Sequence, residues 1–221
     1  MNAKKIAAER AVEFIDNGMT VGLGTGSTAY FAIQRIGETI KEGLKIKAVC
    51  SSTATEALAA QFDIPLTSFS EIKTIDITID GADEMDRNHN SIKGGGGALL
   101  REKILASNST KFIVIIDESK RVSVLGKFPL PVEIVPFAAS LTVNNIKNLG
   151  CLPQIRQDNG RDYVTDNGNL IADCRFNEIS DPAQLNMQLH LIPGVVETGL
   201  FLHTIVSSVI VGREDGTVEI L

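Results

Sequence analysis

From residue 19 to residue 116, short apolar runs alternate with segments of helical periodicity, and this alternation constrains the fold more than any other feature. The runs over 75–79 and 111–116 are rich in β-branched residues, as is typical of strands buried on both faces. Strands that alternate with helices favour a Rossmann-like, mostly parallel α/β sheet with helices on both faces. The predicted strands are 19–24, 45–50, 75–79 and 111–116, and the predicted helices are 6–15, 28–40, 53–62 and 98–106, with Gly18 expected to close the first helix.

The order of elements changes after Lys127, where Pro129, Pro131 and Pro136 interrupt the chain. The patterns that follow predict the βαββαβ order of a small ferredoxin-like α+β domain. Its predicted strands are 132–135, 154–157, 163–176 (interrupted by a turn at 166–169) and 195–201, and its predicted helices are 140–149 and 182–191.

The C-terminal residues predict a hairpin around the Asp215-Gly216 turn that returns to the first sheet. We therefore expect two domains. Residues 1–127 and 205–221 form the Rossmann-like domain, and residues 128–204 form the ferredoxin-like domain.

Composition excludes several classes of protein. The chain has 21 Lys and Arg against 27 Asp and Glu, a net charge of −6, which argues against a nucleic-acid partner. With no Trp and two Tyr, it also has few side chains on which bases could stack. Apolar runs are only a handful of residues long, so we expect no membrane partner.

The three cysteines, Cys50, Cys151 and Cys174, are widely spaced and form no CxxC pair. This pattern predicts a protein with reduced thiols in the cytoplasm, without a zinc site or a redox dithiol. Charged residues interrupt the apolar positions of residues 1–15, which leaves no apolar core for a signal peptide.

The segment Gly22–Thr28 joins the first predicted strand to a helix. Backbone N–H groups and the positive helix end bind anions at such a position, and the hydroxyls of this segment suit a phosphate. Gly24, Gly26 and Ala29 also fit G-x-G-x-x-A, but a dinucleotide site needs an acidic residue after the next strand, which ends in Cys50-Ser51-Ser52. A tight turn that serves packing alone is the other interpretation.

Asp80-Gly81-Ala82-Asp83-Glu84 follows the predicted strand 75–79, at the same sheet edge as the glycine segment. This placement directs two carboxylates, Asp80 and Asp83, towards the ligand crevice. The alternative is a turn in which both side chains cap nearby N–H groups.

Lys93 precedes four consecutive glycines and a helix that carries Glu102. A close approach of backbone to ligand explains the glycines between two ordered elements, whereas a flexible linker is the alternative. Glu102 is either a site residue or a surface residue paired with neighbouring Arg101 or Lys103.

Lys120 follows the predicted strand 111–116, where it either reaches a phosphate or is exposed. His89, His190 and His203 share no ligand spacing with each other or with the cysteines, so no metal site is predicted. Together, an anion site, carboxylates and a lysine suit the removal of a proton beside the carbonyl of a phosphorylated small molecule.

These residues resemble the ribose-5-phosphate isomerases of the A type, over nearly the whole chain. The matching segments are GLGTGSTA at 22–29, SSTATE at 51–56, DGADE at 80–84, KGGGGALLREKI at 93–104, DESK at 117–120, GKFPLPVE at 126–133, TDNGN at 165–169 and PGVVETGLF at 193–201.

The resemblance implies an aldose–ketose isomerase that interconverts D-ribose 5-phosphate and D-ribulose 5-phosphate through an enediolate. It also implies no cofactor, no metal, and a cytoplasmic dimer or tetramer in the non-oxidative pentose phosphate pathway. Glu102 would be the base that moves the proton between C1 and C2, and Asp80 would open the sugar ring. Asp83 and Lys93 would bind the sugar oxygens and stabilise the enediolate.

The resemblance further implies a set of substrate contacts, in which an N-terminal lysine, Lys4 or Lys5, joins the phosphate site. The remaining contacts would be Thr25, Gly26, Ser27, Thr28 and Lys120, mainly at the phosphate, with Gly81, Ala82, Gly94, Gly95 and Gly96.

Two other functions fit the sequence less well. A non-catalytic sugar-phosphate sensor would use the same sheet, but sensors that regulate transcription need a DNA-binding segment, and no helix-turn-helix pattern precedes Gly18. An NAD-linked oxidoreductase is disfavoured because no acidic residue follows the second strand.

Overall fold

Six strands form the larger sheet of the computed structural model, which describes residues 2–221. They lie in the order β15-β14-β6-β3-β1-β2, and all neighbours are parallel except β14 and β15. This sheet confirms the Rossmann-like expectation and the return of the C-terminal hairpin. Its strands are β1 (Thr20–Leu23), β2 (Lys47–Cys50), β3 (Ile75–Gly81), β6 (Ser109–Asp117), β14 (Ser208–Gly212) and β15 (Val218–Ile220).

Four helices accompany this sheet: α1 (Ala3–Val12), α2 (Ser27–Lys41), α3 (Thr53–Gln61) and α4 (Leu99–Ser107). Successive strand residues point to opposite faces, so Ala48 packs with α1 and α2 whereas Val49 packs with Leu105 of α4. Burying a large aliphatic side chain such as Ile36 stabilises the fold by about 1.5–3 kcal/mol. Among the described residues, every helix falls short of the length and hydrophobicity needed to cross a bilayer.

Polar caps start two of these helices. The Asn2 side chain accepts hydrogen bonds from the N–H groups of Lys4 and Lys5, and Ser52 caps α3 in the same way. Helix α1 ends at Val12, before the predicted end, because the N–H groups of Phe14 and Ile15 bond three residues back and tighten the chain.

The strands of the four-stranded sheet lie in the order β12-β7-β11-β8, and all neighbours are antiparallel. Along the chain, one helix follows β7 and a second helix follows β11. This is the predicted βαββαβ arrangement of a ferredoxin-like domain. Its elements are β7 (Leu130–Ile134), α5 (Ala139–Lys147), β8 (Leu152–Ile155), β11 (Leu170–Arg175), α6 (Pro182–His190) and β12 (Val195–Thr198).

Three of the short strands, β4, β5 and β10, lie outside the predicted strands. A three-stranded sheet has the order β13-β5-β4, and β9 pairs with β10 as a separate hairpin. The predicted strand 195–201 divides at Gly199 into β12 and β13, because the Gly199 N–H bonds to Pro131 while its carbonyl accepts from Lys93. The short strands are β4 (Glu84–Met85), β5 (Ser91–Ile92), β9 (Gln157–Asp158), β10 (Arg161–Asp162) and β13 (Leu200–Phe201).

Contacts divide the chain into two units whose limits differ from the predicted domains. The first unit contains the chain up to Ala82, Arg101–Lys120 and Thr204–Leu221, and the second contains Asp83–Leu100 and Arg121–His203. Residues 83–100 and 121–127, which we expected in the first domain, therefore group with the second. The reason is pairing: β5 bonds to β13, and the Leu125 carbonyl accepts from the N–H of Ile179.

Glu84 anchors one of these reassigned segments inside the second unit. Its carboxylate is buried and accepts hydrogen bonds from the N–H of Gly126 at 2.9 Å and of Phe128 at 2.6 Å. A buried N–H without an acceptor is costly, so this carboxylate holds residues 126–128 against β4.

Replacing Glu84 with Ala leaves two N–H groups without their acceptor, and we expect the free energy of unfolding to fall by about 3 kcal/mol. Urea denaturation followed by circular dichroism measures this loss. Glu178→Ala, which removes an exposed carboxylate of the same unit, should change stability by less than about 0.5 kcal/mol. Equal stability of the two variants would contradict the anchoring role.

Candidate active site

The carboxyl ends of the parallel strands of the first unit carry about half of the predicted site residues. Residues 25–28 follow β1, Ser51 and Ser52 follow β2, Asp80 and Gly81 end β3, and Lys120 lies in the turn after β6. Because these strands are parallel, their carboxyl ends share one edge of the sheet, where α/β proteins bind ligands.

The glycine segment after β1 has a shape that only glycine permits at two positions. A Cβ on Gly24 would lie 2.1 Å from the Asp80 carboxyl carbon, and Gly26 has φ +113°. Gly26 is also the N-cap of α2, and it has no side chain with which to cap the helix. The N–H groups of the first turn of α2 are therefore suited to an anion.

Hydroxyl groups order this segment from the side of β2. The Thr25 Oγ1 lies 2.8 Å from Ser51 Oγ, 2.9 Å from Ser52 Oγ and 3.0 Å from Thr55 Oγ1. The Thr25 side chain thus holds the loop in place, while Gly26 and Ser27 are exposed.

Lys4 supplies a positive charge beside the N-terminus of α2. Its Nζ donates to Ser27 Oγ at 2.9 Å, whereas Lys5 forms an ion pair with Glu9 at 3.7 Å. Lys4 borders two open cavities of the first unit. One, of about 570 Å³, also contacts residues 25–27, and the other, of about 880 Å³, also contacts Lys120.

Asp80 and Glu102 are buried carboxylates of the first unit, with 0% and 3% of their surface exposed. Asp80 Oδ1 accepts from the N–H of Thr25 at 3.1 Å and from its neighbour Gly81 at 2.7 Å. Glu102 lies in the first turn of α4, where the helix dipole favours a negative charge. The interpretation of Glu102 as a surface residue is therefore wrong.

Asp83 and Lys93 belong to the second unit. Asp83 Oδ2 accepts from the Gly95 N–H at 2.8 Å. Lys93 is 2% exposed, its N–H donates to the Gly199 carbonyl at 2.9 Å, and its Nζ lies 5.2 Å from the centre of the Phe201 ring. The stem and charge of Lys93 are thus fixed by packing and by a cation–π contact.

The glycines after Lys93 form a bonded turn, so the flexible-linker interpretation is wrong. Gly94 and Gly97 have φ +98° and +84°, and the Gly97 N–H donates to the Gly94 carbonyl at 3.0 Å. Gly94 and Gly97 are buried, whereas Gly95 and Gly96 are exposed.

Sequence patterns missed the residues that hold Lys93 in place. A Cβ on Gly199 would lie 2.4 Å from the Lys93 carbonyl oxygen, and Phe201 faces the ammonium group. Both residues lie in the segment PGVVETGLF that carries the resemblance, but no local pattern there indicates contact with Lys93. Arg156, which bonds to the glycine carbonyls, had no signal in the sequence.

The fold and these residues define an α/β enzyme in which a helix N-terminus suited to an anion and buried carboxylates lie on the same unit. A family profile described as Ribose 5-phosphate isomerase A (phosphoriboisomerase A) matches residues 47–216. The chain belongs to this family.

Individual relatives agree with this assignment. The chain is 52% identical over 220 residues to a ribose-5-phosphate isomerase A of Bacillus mycoides, covering 99% of each chain. It is also similar to a solved D-ribose-5-phosphate isomerase in complex with phospho-erythronic acid, with a TM-score of 0.95 and 41% identity over 100% of this chain and 99% of that chain. The ribose 5-phosphate isomerase of Plasmodium falciparum matches with a TM-score of 0.95 and 41% identity over 99% and 97% of the chains.

Proposed function

We propose that the protein interconverts D-ribose 5-phosphate and D-ribulose 5-phosphate through an enediolate. The observation that carries this proposal is the buried Glu102 carboxylate in the first turn of α4, a position that supports a base inside the fold. The relative solved with phospho-erythronic acid supports the substrate class. That ligand is a phosphorylated sugar acid, whose carboxylate is planar and negatively charged, as an enediolate is.

Isomerisation moves one hydrogen between adjacent carbons. Glu102 takes the proton from C2 of the open-chain aldose, and the electron pair forms the C1–C2 double bond of the enediolate. The same carboxyl group then returns a proton to C1, while the hydroxyl proton of O2 is transferred to O1. General base catalysis of this kind contributes about 10²- to 10⁴-fold to the rate.

The other charged residues act on the sugar oxygens. Asp80, held by two N–H groups, opens the ring and moves hydroxyl protons. Asp83 and Lys93 bind the sugar oxygens, and the ammonium group of Lys93 stabilises the negative charge that develops on the enediolate.

The phosphate binds at the N-terminus of α2. Gly26, Ser27 and Thr28 supply N–H and hydroxyl groups, with Thr25 ordering the segment. Lys4 is the N-terminal lysine of this site because it contacts Ser27, and Lys120 adds a second positive charge. The remaining substrate contacts are Gly81, Ala82, Gly94, Gly95 and Gly96.

The reaction places the protein in the non-oxidative branch of the pentose phosphate pathway. We assign it to the cytoplasm because Cys50, Cys151 and Cys174 are all free thiols in the fold. Fractionation of cells that produce the protein tests this location.

The protein acts as a dimer or tetramer. Phe137, Leu141 and Leu191 of the second unit are exposed large apolar side chains, and association would remove apolar surface of this kind from water. Light scattering during size-exclusion chromatography should give two or four times the mass of the 23.8 kDa chain. A mass of one chain at micromolar concentration would contradict this assignment.

Replacing Glu102 with Gln removes the base but keeps the shape of the side chain, so turnover should fall by at least about 10²-fold. Proton NMR of D-ribose 5-phosphate in D₂O with excess EDTA follows product formation and deuterium entry at C1 in one sample.

Glu38→Gln, a matched change at an exposed residue of α2, should keep full turnover and exchange. Full turnover in folded Glu102→Gln would show that another group is the base. If the wild-type protein bound the sugar phosphate without conversion or exchange, it would be a sensor and not an isomerase.

Lys4 and Lys5 offer a matched pair for the phosphate site. Lys4→Ala should raise KM for D-ribose 5-phosphate at least about fivefold, because it loses a charged contact at the phosphate. Lys5→Ala, which removes only an exposed ion pair with Glu9, should leave KM unchanged. Steady-state kinetics measures both, and equal KM values would remove Lys4 from the site.

A further inference from the structure

The carbonyl groups of the lysine–glycine loop, residues 93–97, are held by side chains of the ferredoxin-like part of the second unit. Arg156 Nη1 donates to the carbonyl oxygen of Gly94 at 3.0 Å and to that of Gly95 at 3.1 Å. The Tyr163 hydroxyl lies 3.5 Å from the Gly96 carbonyl oxygen. Burial, followed by the charge of Asp166, raises the pKa of Tyr163, so this phenol keeps the proton that it donates.

Arg156 is itself fixed by neighbours on the four-stranded sheet. Its Nε and Nη2 donate to the two carboxylate oxygens of Asp173 at 2.9 and 2.6 Å, which is a two-point contact of defined geometry. Its guanidinium carbon also lies 5.8 Å from the centre of the Tyr163 ring. Because Arg156 is fixed on the sheet by Asp173, its hydrogen bonds hold the lysine–glycine loop at a defined position relative to the four-stranded sheet.

The loop needs such outside anchors because its four glycines carry no side chains with which to fix it. The Gly95 residue is held from both sides, since its N–H donates to Asp83 and its carbonyl accepts from Arg156. Asp83 is a proposed substrate contact, whereas Arg156 lies 62 residues along the chain from Gly94.

We infer that Arg156, fixed by Asp173, is a positioning residue that sets the lysine–glycine loop in the geometry in which Lys93 stabilises the enediolate. This inference rests on the role proposed for Lys93. The hydrogen bonds of Arg156 to the loop go to the backbone carbonyls of Gly94 and Gly95, so its contribution reaches the reaction through the loop. The ferredoxin-like domain thereby takes part in turnover as well as in the fold.

The central experiment compares Arg156→Ala with wild type in steady-state isomerisation. Misplacing a catalytic group by about 1 Å costs up to about 10²-fold in rate, so kcat should fall at least about tenfold, with KM within about threefold. Guanidinium ion at millimolar concentration should restore part of the kcat of Arg156→Ala by occupying the vacated space. Arg161→Ala removes the same charge from the exposed β9–β10 hairpin. Its kcat should equal that of wild type, and guanidinium ion should not raise it.

A double variant separates positioning from a general loss of structure. If Arg156 acts through Lys93, adding Arg156→Ala to Lys93→Ala should slow turnover no further. Asp173→Asn keeps the shape but removes the charge that fixes Arg156, and it should also lower kcat, which provides a second test should Arg156→Ala fail to fold.

Three results would overturn the inference. The first is a kcat of folded Arg156→Ala within twofold of wild type while Lys93→Ala is slow, which would leave the proposed function intact. The second is an equal further loss in the Lys93→Ala background, which would make Arg156 merely structural. The third is full turnover in Lys93→Ala, which would contradict the role proposed for Lys93 and the inference with it.

Discussion

The pairing of β3 with strands on both sides is the constraint on which the rest of the structure depends. Residues 77–79 pair with β1, and the same strand pairs with β6 up to Gly81, so that Asp80 is fixed opposite Val114. Close contact with β3 requires glycine both within β1 and directly after it. A Cβ on Gly22 would lie 2.0 Å from Thr78 Oγ1, and one on Gly24 would overlap Asp80. The candidate site therefore depends on the sheet, because the close approach of Gly24 to β3 also buries the Asp80 carboxylate.

Carboxylates of one short segment, residues 80–84, organise loops by accepting backbone hydrogen bonds. Asp80 binds the loop after β1, Asp83 binds Gly95, and Glu84 binds the loop that contains Gly126. Hydrogen bonds from N–H groups offset the cost of burying a carboxylate. Asp80 and Asp83 are also proposed substrate contacts, so in our proposal a structural and a chemical role share the same side chains.

The sequence predicted the elements that carry a strong local pattern and missed those that depend on distant pairing. The buried strands of both sheets and the helices that pack on them were predicted because apolar periodicity is a local pattern. The predicted ends are wrong by a few residues, as for α1, which ends at Val12. Strands of two residues, such as β4 and β5, have no period to detect, and the pairing of β5 with β13 moved the limits of the second unit. The contact of Arg156 with Gly94 is invisible for the same reason, since it joins residues far apart along the chain.

The last parallel strand, β14, lies beside β6, and the first helix packs against it so closely that a Cβ on Gly212 would lie 2.0 Å from the Ala3 carbonyl oxygen. During synthesis, helix α1 therefore leaves the ribosome long before the strand that receives it exists. Its buried alanines, Ala7, Ala8 and Ala11, stay without their full packing partners until the C-terminal residues emerge. The packing of α1 against β14 thus joins segments far apart along the chain, and such contacts form late in folding, so the apolar face of α1 stays partly exposed until they do.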